Sequence, residues 1–197
     1  IPQYRDRIFE IDASNLSVVC SAAIGCAVLN YNDIATIGFI LECVEKALLH
    51  NHRYHKDSTE SRNMWKLGAW HAYLIETVPP VTLAAVSERY SEVMKTIASG
   101  MWEKKGEFVK QQLGAALSPN ERVMRRVITE NLSSIGISCL KSMHIVNTPY
   151  CADIYLPDRR AAVHFLLENE EILSNGGITG PTRLMADIIK KKGHRVK

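Results

Sequence analysis

Residues 150–196 read YCADIYLPDRRAAVHFLLENEEILSNGGITGPTRLMADIIKKKGHRV and decide the fold of the C-terminal part of the chain. Two short apolar runs, 152–156 and 161–167, are separated by Pro157, Asp158 and Arg159. Runs that contain β-branched and aromatic residues favour strands, and a proline between them removes a backbone donor and favours a turn. The pattern therefore predicts a β-hairpin.

A helix and a further strand are predicted after the hairpin. Residues 174–177, SNGG, form a loop signal, and Pro181 and Thr182 suit the first turn of a helix. Gly193 is expected to end that helix, and a closing strand is expected to begin at residues 194–196. The apolar face of the helix, at helical spacing, consists of Leu184, Met185, Ile188 and Ile189.

The order of these motifs matches the pattern of a known family. The matching positions, in chain order, are Tyr150, Asp153, Ile154, Leu156, Pro157, Arg160, Ala161, Ala162, Val163, Gly180, Pro181, Thr182, Arg183, Leu184, His194, Arg195 and Val196. Together they resemble the RAP domain, a small α/β module with a restriction-endonuclease-like fold that occurs at the C-terminus of organellar RNA-processing and ribosome-associated proteins. The resemblance implies RNA binding in the mitochondrial matrix, with a plastid as the alternative.

Active enzymes with that fold hold a divalent metal between an Asp on one strand and a Glu-x-Lys on the next, because hard cations take oxygen ligands. Asp153 occupies the first place, but the hairpin register puts residues 164–166, His-Phe-Leu, at the second. Glu168 and Glu170 follow, and neither has a lysine two positions later. We therefore expect no catalytic residue and no metal site, and interpret Asp153 as an acceptor of backbone N–H groups in the adjacent turn. A nuclease using Asp153 and Glu168 is the alternative.

Positive charge is concentrated in the C-terminal part. Residues 119–197 contain 12 Lys and Arg against 8 Asp and Glu, whereas residues 1–118 contain 12 against 13. A local excess of cations attracts polyanions and can contact phosphates. Lysines in the last turn of a helix can also simply complement the helix dipole. The predicted phosphate contacts are Arg159, Arg160, Arg183, Lys190, Lys191, Lys192 and Arg195.

The N-terminal part is predicted to be helical, with no strand signal before residue 137. Expected helices are residues 15–29, 34–49, a third that Pro79-Pro80 ends, 81–98, 101–117 and 119–135. Helical hairpins begin at residues 15 and 58, a spacing of about 40 residues that is typical of helical repeats. Residues 16–49 also resemble the octotricopeptide or heptatricopeptide helix pairs that usually precede a RAP domain. We expect an α+β protein with a solenoid-like domain, residues 1–118, and a RAP-like α/β domain, residues 119–197.

Cysteine and histidine usage indicates no zinc site. The five cysteines form no CxxC pair, and we interpret them as reduced core residues. The cluster of Cys43, His50, His52 and His55 straddles a helix end, where histidines can bond the last carbonyls. The three tryptophans, at 65, 70 and 102, are interpreted as core residues on helix faces rather than as base-stacking platforms. No cofactor is indicated, and no charge-free apolar run is long enough to span a membrane.

We expect a processed or partial chain. The sequence begins at Ile1 without an initiator Met or an Arg-rich leader, and Lys197 lies within the predicted closing strand. We expect a non-catalytic RNA-binding and scaffolding protein of mitochondrial RNA metabolism. A component of the mitochondrial ribosome, bound to rRNA and neighbouring proteins and not to a membrane, is the favoured form. The alternatives are the nuclease, a factor for mitochondrial mRNA stability or processing, and a protein-binding adaptor.

Overall fold

A computed structural model describes residues 16–50, 58–103, 119–166, 173 and 176–196. The fold is mixed α+β, with helices along the chain and one small sheet in the C-terminal part. Two compact units divide it, unit 1 at Ile1–Glu103 and unit 2 at Lys104–Lys197. The predicted boundary follows residue 118, and the residues between the two positions lie outside the described part of the chain.

Unit 1 contains helices in all of its described segments. They are α1 (Leu16–Val28), α2 (Ile34–His50), α3 (Ser58–Thr77), α4 (Pro80–Arg89) and α5 (Ser91–Glu103). The α1–α2 turn lies between the two predicted helices, and Asp33 caps α2, since its Oδ2 accepts hydrogen bonds from the backbone N–H and the hydroxyl of Thr36 at 3.1 and 3.0 Å.

Helices α1 and α3 pack side by side and run in the same direction. Lys66 of α3 donates to the hydroxyl of Ser21 of α1 at 2.8 Å. Further along both elements, the Tyr73 hydroxyl donates to Oδ1 of Asn30, in the turn after α1, also at 2.8 Å. The first helices of the two successive hairpins are therefore parallel neighbours, while α2 packs against α1 and α5 packs against α3.

The core of unit 1 is formed by the predicted helix faces. Trp70 of α3 is fully buried, which confirms its interpretation as a core residue. Three of the free cysteines are buried in this core, namely Cys20, Cys26 and Cys43. Burial raises the pKa of the Cys20 thiol to about 12, so this thiol is held in its unreactive form.

Two predicted helix boundaries in unit 1 are wrong. The predicted helix 81–98 is two helices, α4 and α5, separated at Tyr90, whose backbone leaves the helical region at φ −116° and ψ 32°. The Tyr90 side chain is buried, and no proline or glycine marks the break in the sequence. Residues 101–103 continue α5 instead of starting a new helix, and 104–117 lie outside the described residues.

Unit 2 contains two helices and a four-stranded sheet in its described residues. Its elements are α6 (Pro119–Ser134), β1 (Leu140–His144), β2 (Cys151–Leu156), a 3-10 turn (Pro157–Arg159), β3 (Ala161–Val163), α7 (Gly180–Lys191) and β4 (Arg195–Val196). The strand order is β1-β2-β3-β4. The first two pairs are antiparallel, and β4 joins β3 in parallel after the crossover through α7.

Strand β2 lies inside the sheet and is covered on both faces. Its four central residues, 152–155, are all buried, and α6 packs against it. The hairpin of β2 and β3, the turn at Pro157 and the buried face of α7 are confirmed. Strand β1 was missed, because its sequence LKSMH has neither the alternation nor the β-branched residues that indicate a strand.

Among the described residues, no group of histidines, cysteines and carboxylates could hold a metal ion. His52 and His55 of the metal-like cluster lie outside those residues, as does Glu168. Over the same parts of the chain, none of the helices combines the length and the apolar composition that crossing a membrane requires.

Candidate nucleic-acid interface

The turn between β2 and β3 presents two of the predicted phosphate contacts. Arg159 ends the 3-10 turn that begins at Pro157, and Arg160 follows in the left-handed conformation with φ 46°. Both side chains are exposed. The carbonyl of Arg160 accepts a hydrogen bond from the backbone N–H of Arg195 at 2.8 Å, and Arg195 is the register partner of Ala161. The start of β4 therefore lies beside the start of β3.

The C-terminal end of α7 reaches the same place. Gly193 adopts φ 80° and donates its N–H to the carbonyl of Lys190 at 2.9 Å, while His194 donates to Ile189 at 3.2 Å. These two bonds form a Schellman motif, which ends the helix and turns the chain directly into β4. Lys190, Lys191 and Lys192 are consequently carried to the edge where β3 and β4 begin.

Six of the seven predicted residues are thus brought to one end of unit 2, called here the basic end. They are Arg159, Arg160, Lys190, Lys191, Lys192 and Arg195. Five of them are exposed, and Lys192 is half-buried. Two carboxylates moderate the charge: Asp158 is exposed in the same turn, and Asp187 lies 3.9 Å from the Lys190 ammonium.

Arg183 is not part of the basic end. It lies in the first turn of α7 and precedes Lys190 by two helical turns, about 10 Å along the axis. Its side chain is exposed, and helical periodicity places it on the same face as Lys190. Arg183 is therefore suited to a second, neighbouring phosphate.

Arg160 is held against the end of α7. A Cβ atom added to Gly193 would lie 3.3 Å from an Arg160 guanidinium nitrogen, so this guanidinium sits over the glycine. A cation at the C-terminus of a helix is stabilised by the helix dipole. The left-handed backbone of Arg160 and the bare glycine together give this arginine a defined position.

His194 belongs to the same end and was not identified as a site residue from the sequence. Its Nδ1 lies 3.0 Å from the Tyr155 hydroxyl, and the two rings meet edge to face. Burial, together with the nearby charge of Arg160, holds the pKa of His194 below its ordinary value. The imidazole therefore favours its neutral form in the free protein. No local signal reveals this pair, because the two residues are distant in sequence.

Asp153, the carboxylate that the alternative nuclease prediction uses, interacts with other groups of the protein. Its Oδ1 is paired with the Arg125 guanidinium of α6. Its Oδ2 accepts the backbone N–H of Phe165 at 2.8 Å and lies 2.9 Å from Nδ1 of His164. The prediction that Asp153 accepts a backbone N–H is confirmed, but the donor is across the hairpin and the partner Arg125 was missed.

The pKa of Asp153 reflects this surrounding. Burial alone would raise it, but hydrogen bonds from His164 and the Phe165 backbone, and then the positive charges of His164 and Arg125, outweigh burial and hold the pKa below its ordinary value. The side chain of Asp153 is therefore an ionised carboxylate whose two oxygens are both engaged. Metal ligation would require these partners to be displaced.

Comparison of the chain with protein-family models, with curated proteins and with solved structures gives no match. Function is therefore inferred from the residues and the geometry of the chain.

Proposed function

We propose that this chain is a non-catalytic RNA-binding and scaffolding protein of mitochondrial RNA metabolism, with unit 2 acting as a RAP-like module. Its favoured setting is the mitochondrial ribosome, where unit 2 binds rRNA and neighbouring proteins hold the rest. The proposal rests on the RAP-like motifs of residues 150–196 and on one structural observation, the convergence of six cationic side chains at the basic end.

The basic end is suited to a phosphate backbone. Its cations come from the β2–β3 turn, from the end of α7 and from the start of β4. Three separate segments give cations at several positions, as an extended polyanion requires, and release of condensed counterions then favours binding. A set of lysines confined to one helix turn would be explained by the helix dipole alone.

The order of elements supports a RAP-like module. A strand containing Asp153, a turn at Pro157, a second strand, a helix after Gly180-Pro181 and a closing strand follow one another as the resemblance requires. In unit 1, the parallel packing of α1 and α3 supports stacked helical hairpins, since successive repeats of a solenoid place equivalent helices side by side.

The absence of catalysis is supported by the partners of Asp153. Metal-dependent hydrolysis needs a carboxylate with free oxygens and a second acidic ligand nearby. Both oxygens of the Asp153 carboxylate interact with other side chains, Oδ1 with Arg125 and Oδ2 with His164. In the resemblance, position 164 is where an enzyme would carry its second acidic ligand. Incubation of the chain with RNA and magnesium should give no cleavage, and cleavage that Asp153→Ala abolishes would overturn this part of the proposal.

The main test is RNA binding by the full chain across a salt series. We compare the wild type with a variant in which Lys190, Lys191 and Lys192 are replaced by Gln. Each phosphate contact that is lost should flatten the slope of log affinity against log salt by about 0.7 to 0.9.

The matched control removes the same number of charges from unit 1 by replacing Lys46, Arg89 and Lys95 with Gln. These cations are outside the basic end, and two of them pair with Glu42 and Glu92 on their own helices. The control variant should retain the wild-type slope. Equal losses in the two variants would show that only net charge matters and would refute the assignment of the basic end.

The ribosomal setting has a separate test. A ribosomal component should sediment with a ribosomal subunit in a sucrose gradient of mitochondrial lysate, and high salt should release it only together with other proteins. Sedimentation only in the light fractions would favour the factor for mRNA stability or processing.

A further inference from the structure

Four large apolar side chains are exposed at one end of unit 1, the end formed by the α1–α2 and α3–α4 turns. Leu29 and Ile34 flank the first turn and are 69% and 51% exposed. Ile75 and Val81 flank the second turn and are 41% and 83% exposed. A single exposed apolar residue is ordinary, whereas several at one place indicate an interaction surface. This surface is called here the turn end.

A hydrogen bond shows that the two turns lie at the same end of unit 1. The hydroxyl of Tyr73, two residues before Ile75 in α3, donates a hydrogen bond to Oδ1 of Asn30, the residue after Leu29. Tyr73 is buried, so the bond is part of the packed structure. The four apolar residues are therefore displayed by neighbouring segments of the same unit.

The backbone of the turn end is held in place. Asn30 adopts φ 54°, and the N–H groups of Asn30 and Tyr31 bond the carbonyls of Ala27 and Cys26 at 3.1 and 2.8 Å. The second turn contains Pro79 and Pro80, both exposed, whose rings restrict the backbone. A surface ordered before binding loses little conformational entropy on binding.

The charge of this region is negative. Residues 29–36 and 73–81, which contain the two turns, include two carboxylates, Asp33 and Glu76, and no lysine or arginine. Asp33 directly precedes Ile34 and Glu76 directly follows Ile75, and both residues are half-buried. The two hydrogen bonds that Thr36 donates to Asp33 both end on Oδ2. The described cations of unit 1 lie elsewhere: Lys66 is bonded to Ser21, and Lys46 is paired with Glu42, more than two helical turns beyond Ile34.

We propose that the turn end docks a basic segment of a partner protein that also carries apolar side chains. Apolar contact would supply affinity, and Lys or Arg of the partner would face Asp33 and Glu76. RNA is disfavoured as the occupant, because phosphates would meet carboxylates. A second copy is disfavoured as well, because a two-fold contact would set the same negatively charged surface of both copies together. The proposal does not depend on RNA binding by unit 2.

The probes are three synthetic peptides of equal length: an amphipathic Leu/Lys helix, its Leu/Glu counterpart and a Ser/Lys peptide. Fluorescence anisotropy measures their affinity for the full chain. The Leu/Lys peptide should bind, and both the Leu/Glu and the Ser/Lys peptides should bind at least about tenfold more weakly, the difference expected when an apolar or a charged contact is lost.

Variants locate the site. Leu29→Ser and Val81→Ser should each weaken the Leu/Lys peptide, and together by about tenfold or more. Asp33→Asn keeps the helix cap and removes the charge, so, combined with Glu76→Gln, it should weaken binding in low salt and much less in high salt. Val123→Ser, which changes a residue 49% exposed on α6, and Glu92→Gln, 83% exposed on α5, are the controls and should bind as the wild type does.

Thermal unfolding of each variant shows whether it is folded. Because Val81 is the most exposed of the four residues, Val81→Ser can be tested even if Leu29→Ser unfolds the protein. Equal binding of the Leu/Lys peptide by the variants and the wild type would overturn the proposal. Binding of the Leu/Glu peptide as tight as that of the Leu/Lys peptide would also overturn it. Self-association of the chain that Leu29→Ser abolishes would identify a second copy as the occupant instead. Loss of RNA binding in the Asp33→Asn and Glu76→Gln variant would identify RNA.

Discussion

Arg125 of α6 and Asp153 of β2 form an ion pair whose side chains are only 9% and 8% exposed. The same guanidinium donates to the hydroxyl of Ser142 in β1 at 3.3 Å and lies over the Phe165 ring at 5.9 Å. Arg125 thus joins α6 to the sheet at Asp153, the carboxylate that the alternative nuclease prediction uses. A buried charge that loses its partner is costly, so this pair fixes how α6 packs.

Replacing Arg125 with Met is expected to lower the free energy of unfolding by about 3 to 5 kcal/mol, because it leaves the buried Asp153 carboxylate without the Arg125 guanidinium. Urea denaturation followed by circular dichroism measures the change. Arg126→Met is the matched control, since Arg126 is exposed and lies 3.9 Å from Glu130; it should cost less than about 1 kcal/mol.

Adding Asp153→Leu to Arg125→Met should recover part of the lost stability, because the unpaired charge is then removed. Simple addition of the two single-variant losses would contradict a direct interaction between these side chains.

The stability of unit 2 should decrease in acid through Asp153. Its pKa is lowered in the folded state, whereas the unfolded chain titrates at about 3.9. The stabilisation is therefore complete above that value and is lost as the pH falls through the lower, folded pKa. Denaturation curves of the wild type and Asp153→Asn should differ by a constant amount above about pH 5 and converge in stronger acid. A difference that persists unchanged to low pH would contradict the lowered pKa.

Arg160 allows backbone strain and RNA contact to be separated. Its φ of 46° is left-handed, a conformation that costs an ordinary residue about 1 to 2 kcal/mol and glycine almost nothing. Arg160→Gly should leave the free energy of unfolding unchanged or slightly higher, whereas Arg160→Val should lower it by about 1 to 2 kcal/mol. Both variants should bind RNA more weakly, as filter binding in low salt would show. Wild-type RNA affinity in the stable glycine variant would remove Arg160 from the interface.

Two glycines should respond to alanine in opposite directions. Gly193 has φ 80°, and a Cβ there would lie 3.3 Å from the Arg160 guanidinium, so Gly193→Ala should destabilise the protein by about 1 to 2 kcal/mol. Gly38 lies within α2 with no atom within 4 Å of an added Cβ. Gly38→Ala should therefore stabilise α2 by up to about 1 kcal/mol. Thermal unfolding measures both, and a loss at Gly38 would indicate crowding that the structure does not contain.

Local sequence was sufficient wherever one segment carries its own signal. Pro157 between two apolar runs predicted the β2–β3 hairpin, Gly193 predicted the end of α7, and the spacing of Leu184 and Ile188 predicted its buried face. In each case the side chains and backbone preferences that form the feature lie within a few residues of one another.

Features that depend on distant partners could not be predicted in this way. Tyr90, whose side chain is buried, breaks a continuous helical pattern, and β1 is a strand because β2 offers it an edge to pair with. The partnership of Arg125 with Asp153 joins residues from two elements, and neither residue differs locally from a surface charge.

The sequence by itself determined the β2–β3 hairpin and the helices of unit 2, the cationic composition of its C-terminal part and the lack of a Glu-x-Lys after Asp153. Only the tertiary structure decided that Arg159, Arg160, the α7 lysines and Arg195 lie together at the basic end of unit 2 and that Arg183 does not. It also decided that Arg125 forms an ion pair with Asp153. The reason is physical. Secondary structure follows from preferences of neighbouring residues, whereas a surface or a buried ion pair is made by strand pairing and helix packing, which bring together residues whose separation along the chain carries no local signal.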